Sequence, residues 1–380
     1  MPGEMAERLA KLGYVDVLME GVHVGTLART RSGAMAFEYA QEWLASGFSI
    51  SPFSLPLRQG LFDAPPDAPD RLFGIFRDSL PDDWGRFLQD RRLAELGVRP
   101  GSLSILARLS LVGATGLGAL EYAPAHVVHA NSDISSDWDT LSRQCQRLLA
   151  EEGTEALDAI YACGSSSGGA RPKVMVDLDD EPWIVKFPAS ADGPRAGAQE
   201  YRLAQMARAC GIAMPEVRLI PSHVCGGYFA TKRFDRQRDA FGALHKVHMA
   251  SAAALLEVSP FDVLDYRNLM QLTLELTGSV ADCEQLFRVM CFNVAVGNCD
   301  DHARNFSYLC ENGVWRLSPA YDLTQDEGFL GEHATLVNGK GTDITGEDLL
   351  AVGAAGGISA RKGREIYSQI IEVTAGLAEG

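Results

Sequence analysis

Asn298-Cys299-Asp300-Asp301-His302-Ala303-Arg304-Asn305 is the stretch on which the reading of this chain turns. Asp300 and Asn305 stand at the spacing that phosphoryl transfer uses: an aspartate to orient the attacking hydroxyl, then an asparagine to hold a metal. Asp301 and Asn305 do not. Downstream, Asn312-Gly313 is a strong two-residue turn between the apolar runs 306–310 and 314–317. Pro319-Ala320-Tyr321-Asp322-Leu323 follows, so Asp322 stands where a second metal-holding aspartate is expected. A run of Asp, His and Asn also serves as a helix N-cap or surface turn. A two-metal hydrolase using Asp300, Asp301, His302 and Asp322 is a further reading. It wants more carboxylate or imidazole ligands than the sequence gathers.

Upstream lies Cys163-Gly164-Ser165-Ser166-Ser167-Gly168-Gly169-Ala170-Arg171-Pro172-Lys173. Its small side chains let backbone N–H groups approach phosphates, although the same composition suits a linker and fits neither standard glycine-rich motif. A hairpin is expected next: Val174–Leu178, a turn at Asp179-Asp180, then Trp183–Phe187. Lys186 stands in that apolar strand, where a lysine is unusual unless it meets an anion. Glu200 lies near the inward stripe of the next helix, Gln199 to Cys210, and is a candidate partner for Lys186 or a solvated helix residue. Lys232-Arg233-Phe234-Asp235-Arg236 ends a later strand as a hinge would, or as a charged strand end would.

Outside these motifs the order is a β-rich start, a mixed segment and a helical end. Tyr14–Met19, a Glu20-Gly21 turn and Val22–Leu27 read as a hairpin, continued by Met35–Tyr39. Pro81 suits the first turn of a helix, and a helix, a glycine turn and a strand are expected over 103–122. A linker is expected over 124–139 and a helix over 138–162. From about residue 242 the pattern is mostly helical, interrupted by the Asn312-Gly313 hairpin, with Ser279 and Asp282 forming a capping box.

Together these pieces resemble the HipA-type serine/threonine kinases, the toxins of bacterial HipBA-like toxin–antitoxin modules. The resemblance covers nearly the whole chain. It rests on Leu80-Pro81-Asp82, Gly113-Ala114-Thr115-Gly116, Gly168–Lys173, Ile184–Pro188, Glu200-Tyr201, Arg233–Arg236, Asp300-x-His302-x-x-Asn305 and Pro319-x-Tyr321-Asp322. It implies an α+β fold: a β-rich N-terminal module (1–125), then a two-lobed protein-kinase-like fold with its N-lobe over 126–240 and a helical C-terminal lobe over 241–380. It implies Asp300 as the catalytic aspartate, with ATP and Mg²⁺ as cofactors and Asn305 and Asp322 as metal ligands. Gly168, Gly169, Ala170, Arg171, Pro172 and Lys173 would cover the nucleotide. Lys186, His302 and Arg304 would meet its phosphates, Lys232, Arg233 and Phe234 would border the adenine, and Tyr321 would complete the site. Family members autophosphorylate a loop serine as an off-switch; Ser166 matches it, with Ser165 and Ser167 beside it. The implied partners are a protein substrate, of the kind of an aminoacyl-tRNA synthetase, and a DNA-binding antitoxin of HipB type. The chain departs from the pattern at Leu244–Met249, which lacks an expected acidic-amide run, and in the short segment after Asp322.

Composition narrows the field. Lys and Arg number 34 against 50 Asp and Glu, a net charge of −16, which opposes autonomous nucleic-acid binding because such binding rests on cationic side chains. Hydrophobic residues at 46% and charged residues at 22% are those of a globular chain. No apolar run is long enough to span a membrane, the N-terminus carries charges where a signal peptide needs apolar residues, and the eight cysteines lack paired spacing. These features predict reduced core thiols and a cytoplasmic protein. Two other functions compete: a small-molecule or lipid kinase with the same Asp/Asn loop, and a catalytically inert protein that stabilises an antitoxin on DNA.

Overall fold

A computed structural model describes residues 7–126, 137–150, 157–166, 169, 171–189, 192–328 and 330–375. The chain divides into two compact units, Met1–Ala198 with Val217–His248, and Gln199–Glu216 with Met249–Gly380. The first unit therefore takes in residues 1–125 and most of 126–240.

In the first unit, Val15 and Val17 of β1 (Tyr14–Met19) are buried and Tyr14 is exposed, as alternation on a half-buried strand requires. Glu20 and Gly21 both adopt left-handed φ values, 48° and 78°, which match a tight turn to the twist of its strands. β2 (Val22–Arg29) returns antiparallel. With β3 (Met35–Tyr39), β4 (Leu61–Asp63) and β5 (Leu120–Ala123) it forms a sheet of order β4-β3-β2-β1-β5. The chain after residue 60 thus opens with a short strand and later holds a helical turn, Gly74–Arg77. The second sheet has the order β6-β7-β9-β8, from β6 (Lys173–Leu178), β7 (Glu181–Lys186), β8 (Val217–Ile220) and β9 (Tyr228–Lys232). Asp179 and Asp180 make its first turn, both with positive φ.

One apolar cluster joins these parts. Trp84 and Leu88 of the Asp83–Glu95 helix pack with Leu141, Ile160, Val174, Trp183, Val185 and Tyr228. The Trp84 indole N–H also donates to the Lys173 carbonyl at 2.9 Å. An indole buried with its N–H satisfied combines a large apolar area with a fixed direction.

A second link is ionic. Asp235 is buried, and its carboxylate accepts from Arg233 Nε and Nη2 (2.9 and 2.7 Å), Arg236 Nη1 (3.0 Å) and the Gly118 N–H (2.8 Å). The two guanidinium groups reach on to backbone carbonyls: Arg233 Nη2 to Gly116 (3.2 Å), Arg236 Nη2 to Gly116 (2.9 Å) and Arg236 Nη1 to Gly118 (2.9 Å). Lys246 adds bonds to Ala114 O and Glu121 Oε1, both 2.6 Å. The irregular glycine segment is thereby held by charge-assisted bonds rather than by a regular ladder.

The second unit is mainly helical: Tyr266–Thr277, Val280–Val296, Gly346–Ala355 and Ala360–Thr374. The Asn312-Gly313 hairpin forms, with φ of 51° and 82°, between Ser307–Glu311 and Val314–Leu317. Two expectations need correction. After residue 242 more than one hairpin interrupts the helices, because Arg236–Arg238 pairs with Leu244–Lys246 and His248–Ser251 is also a strand. The first of these pairs carries no apolar alternation; His245 lies between Glu20 (3.0 Å) and Asp239 (3.2 Å) instead. The capping box at Ser279 is half formed. Ser279 accepts from the Asp282 N–H, while the Asp282 carboxylate accepts from the Leu317 N–H. Full capping boxes occur at Asp265/Asn268 and Thr345/Asp348. All eight cysteines are free thiols and six are buried, as expected of core residues.

Removing Asp235 leaves two poorly exposed guanidinium groups without their anion. Asp235→Ala should lower the stability of the first unit by about 3–5 kcal/mol, read as the midpoint of urea unfolding. Burial pushes the Asp235 carboxyl up, but Arg233 and Arg236 outweigh it and hold the pKa below the usual value. Because the folded pKa is depressed, this contribution is present above the unfolded value of about 3.9 and is lost as pH falls through the folded value. The wild type should thus lose stability on acidification that Asp235→Ala does not.

Candidate active site

The Val280–Val296 helix stops at Gly297, whose left-handed φ of 69° lets its N–H close on the Asn293 carbonyl. The loop 298–305 starts there. Asn298 is buried and donates to Asn293 Oδ1 at 3.0 Å. Asn293 Nδ2 donates to the Tyr266 hydroxyl (3.0 Å), which donates to Asp301 Oδ2 (2.8 Å). His333 Nδ1 lies 2.9 Å from the same oxygen, and the Thr335 N–H donates to Asp301 Oδ1 at 3.1 Å. Asp301, 1% exposed, is therefore a buried anchor. This removes it from the two-metal reading: its carboxylate oxygens already serve three donors.

With Asp301 fixed, its neighbour Asp300 is displayed at the surface, its side chain about half exposed (53%). The Asn305 amide donates to the Asp300 carbonyl at 2.7 Å, closing the loop across the five-residue spacing. The Asn305 amide oxygen is left for another partner. His302 Nε2 stands 3.7 Å from Asp300 Oδ1. Partial burial raises the Asp300 carboxyl above the usual carboxylate range, the His302 ring opposes this, and the carboxylates of Asp322, Asp326 and Asp301 add to it. The loop is then stitched down by Cys299 N–H to Asp326 O (2.9 Å) and Ala334 N–H to Cys299 O (3.0 Å).

The hairpin brings residues 319–322 back to this loop. The Tyr321 hydroxyl donates to Arg304 O at 2.6 Å and lies 2.6 Å from Ser307 Oγ. Asp322 adopts a left-handed φ of 56°, an uncommon backbone for aspartate. Asn305, Tyr321 and Asp322 line one cleft with Asp301, Ser318 and Leu323. Among the described residues no group of three or more His, Cys, Asp and Glu could hold a metal by itself. An amide oxygen and one carboxylate suit Mg²⁺, which takes few protein oxygens and completes its shell with phosphates and water.

In the first unit, Lys186 lies opposite Lys173 and Phe229 in the sheet register, with its ammonium 5.6 Å from the Phe229 ring centre. Lys173 is buried, and Glu200 is buried in the second unit. Arg171 pairs with Asp192 at 3.2 Å, and Pro172 O accepts from the Phe187 N–H. Gly169 has a φ of 81°, and a Cβ there would stand 2.6 Å from Lys173 Nζ. Lys232 pairs with Glu181 at 3.3 Å, Arg233 belongs to the Asp235 triad, and Phe234 is half-buried. Ser165 and Ser166 are buried; Ser167, Gly168 and Ala170 lie outside the described residues. Sequence reasoning missed the supports of the loop, Tyr266, Asn293, His333 and Thr335. Their one trace is the Asp300-Asp301 doublet, in which one carboxylate is displayed and its neighbour buried.

Residues 15–123 match the HipA N-terminal domain and residues 165–377 match the HipA-like C-terminal domain. The chain belongs to the HipA family. It is 26% identical over 344 residues to a Sinorhizobium fredii (strain NBRC 101917 / NGR234) protein named "Putative kinase Y4mE", covering 81% of this chain and 76% of that one. It is 29% identical over 169 residues to a second protein of that strain, "Putative kinase Y4dM", covering 41% and 40%. Its fold is similar to the Shewanella oneidensis MR-1 toxin HipA, solved with HipB and operator DNA: TM-score 0.71, 19% identity, 96% of this chain and 91% of that one. The α+β fold expected from the sequence is the fold observed. No helix among the described residues is long and apolar enough to cross a membrane.

Asp301→Ala should destabilise the second unit by about 3–5 kcal/mol, since it removes a buried charge with three donors. Asp300→Ala, on the exposed neighbour, should change stability by no more than about 0.5 kcal/mol. Paired thermal melts of the two variants check this.

Proposed function

We propose that this HipA-family chain is an ATP-dependent serine/threonine protein kinase. Asp300 orients the acceptor hydroxyl and takes up its proton. Asn305 and Asp322 hold Mg²⁺, which supplies charge neutralisation at the phosphates when bound. Lys186 and the 168–173 loop hold the triphosphate, with His302 and Arg304 beside it, Tyr321 as a further nucleotide contact, and Lys232, Arg233 and Phe234 toward the adenine. Lys186 takes Glu200 as its partner. The 1–125, 126–240 and 241–380 segments are the β-rich N-terminal module and the two kinase lobes. The observation that carries this reading is the Asn305 amide on the Asp300 carbonyl, in a cleft shared with Asp322. It gives one acidic base beside two hard oxygen donors, the set that phosphoryl transfer uses.

We further propose the role of toxin in a toxin–antitoxin module. The substrate is a translation-related protein of the kind of an aminoacyl-tRNA synthetase, the outcome is growth arrest, and Ser166 is autophosphorylated as an off-switch. The Shewanella relative was solved with HipB and operator DNA, which supports a HipB-type antitoxin as partner here. The −16 net charge supports leaving DNA contact to that partner.

Incubation with γ-labelled ATP and Mg²⁺, followed by phosphosite mapping, tests the reading. Label on the loop serines should fall by about 100-fold or more in Asp300→Ala. Absence of nucleotide binding in the wild type would sink the kinase assignment. Because the Asp300 pKa is raised, transfer should decline on acidification at a pH above about 3.9, the ordinary aspartate value.

A further inference from the structure

Two histidines of the stretch 244–249, His245 and His248, belong to the first unit, and the fold holds them in opposite states. His248 is buried with Nε2 2.8 Å from Ile50 O, and burial pushes its pKa down to about 4, so it is a neutral donor to a carbonyl. His245 is about half exposed, and each of its ring nitrogens meets a carboxylate. Nδ1 lies 3.0 Å from Glu20 Oε1 and Nε2 lies 3.2 Å from Asp239 Oδ2. An ionised carboxylate can only accept, so both ring nitrogens must donate, and only the imidazolium has two N–H groups. A neutral ring keeps one N–H and turns a lone pair toward the other anion.

Both anions are fixed in advance. Glu20 sits in the left-handed turn between β1 and β2, and its Oε1 also accepts from the Lys246 N–H at 3.1 Å. Asp239 Oδ1 accepts from the Phe241 and Ala243 N–H groups at 2.8 and 2.9 Å. Those bonds, Ala243 first, hold the Asp239 carboxyl below its usual range. An exposed ion pair is worth little when two mobile side chains must be ordered and solvent screens them. Here backbone donors have already ordered the carboxylates, and one ring meets two of them.

The other charges of these elements face elsewhere. Arg236 is turned to Asp235 and the carbonyls of Gly116 and Gly118. Arg238 is turned to Glu181 and the carbonyls of Gly242 and Asp180. Lys246 Nζ reaches Ala114 O and Glu121 of β5, and His23 of β2 lies 3.6 Å from Asp16. Asp239 first, then Glu20, therefore set the His245 ring and raise its pKa above the usual value, against partial desolvation.

We propose that the His245 proton clamps the 236–246 hairpin to the β1–β2 turn, and that its loss on a rise in pH frees the hairpin from that turn. Asp239 belongs to the hairpin itself, so the bond to Glu20 is the one that joins two elements. A folded pKa above the ordinary value of about 6.5 makes the clamp fully present below that value and lost as pH rises through the folded one. The clamp rests on these contacts and not on the kinase reading.

Titration of the histidine ring signals by NMR tests it, together with hydrogen–deuterium exchange of peptides covering 236–247. Exchange is read at about pH 5.5 and about pH 8.5, on either side of the histidine range, and corrected for intrinsic rates. His245 should titrate with a midpoint above about 6.5, while His248 stays neutral throughout. Opening of the hairpin should be about threefold faster at the higher pH, the scale of one exposed charge pair. Glu20→Gln keeps the shape and removes the anion; it should lower the midpoint and abolish the difference in opening. His245→Gln, with no proton to lose, should open at one rate at both pH values. Peptides from the 307–317 hairpin of the second unit should be unchanged, which separates local release from unfolding. A midpoint at or below about 6.5, equal wild-type opening at both pH values, or a difference that survives Glu20→Gln would each overturn the clamp. None of these readouts involves nucleotide, so failure of the clamp and failure of the kinase reading are told apart.

Discussion

The candidate site depends on one buried carboxylate. Asp301 draws the Tyr266 hydroxyl, the His333 ring and the Thr335 amide onto its two oxygens. Those donors come from the start of a long helix and from the segment beyond Asp322. Satisfying one buried charge therefore fixes two stretches of chain relative to the loop 298–305. Asp300, the next residue back, inherits its position from that anchor. Its own carboxylate can stay unengaged by structural bonds and be raised in pKa by its surroundings. A displayed acid beside a buried one divides the work of reactivity and support between adjacent residues.

The first unit uses the same tactic with the opposite sign of charge in excess. Two arginines and a lysine satisfy the carbonyls of a glycine segment that has no ladder to join, and Asp235 neutralises the arginines. Arg233 accordingly has a structural task. That narrows what it can offer a nucleotide to whatever its remaining edge allows.

Much of this was legible in the sequence. The two hairpins at Asp179-Asp180 and Asn312-Gly313 were readable because a tight turn demands residues that tolerate positive φ. The Asp300/Asn305 spacing was readable because a single loop must close on itself. The Arg236–Arg238 and Leu244–Lys246 pair was not, because it is held by His245 between two acids and shows no apolar period. Nor were Tyr266 and His333, since each looks like an ordinary helix or loop residue until the fold brings it to Asp301. Long-range polar partners leave no local pattern for a reader to find.

The Gly118–Asp235 bond joins residues 117 positions apart, and this bears on how the protein is born. A ribosome adding about 5–20 residues per second delivers the N-terminal sheet on the order of ten seconds before the residues that hold its glycine segment. During that interval the carbonyls of Ala114, Gly116 and Gly118 lack the lysine and arginine donors that later hold them. The glycine segment therefore reaches its final bonding only once synthesis has passed Lys246.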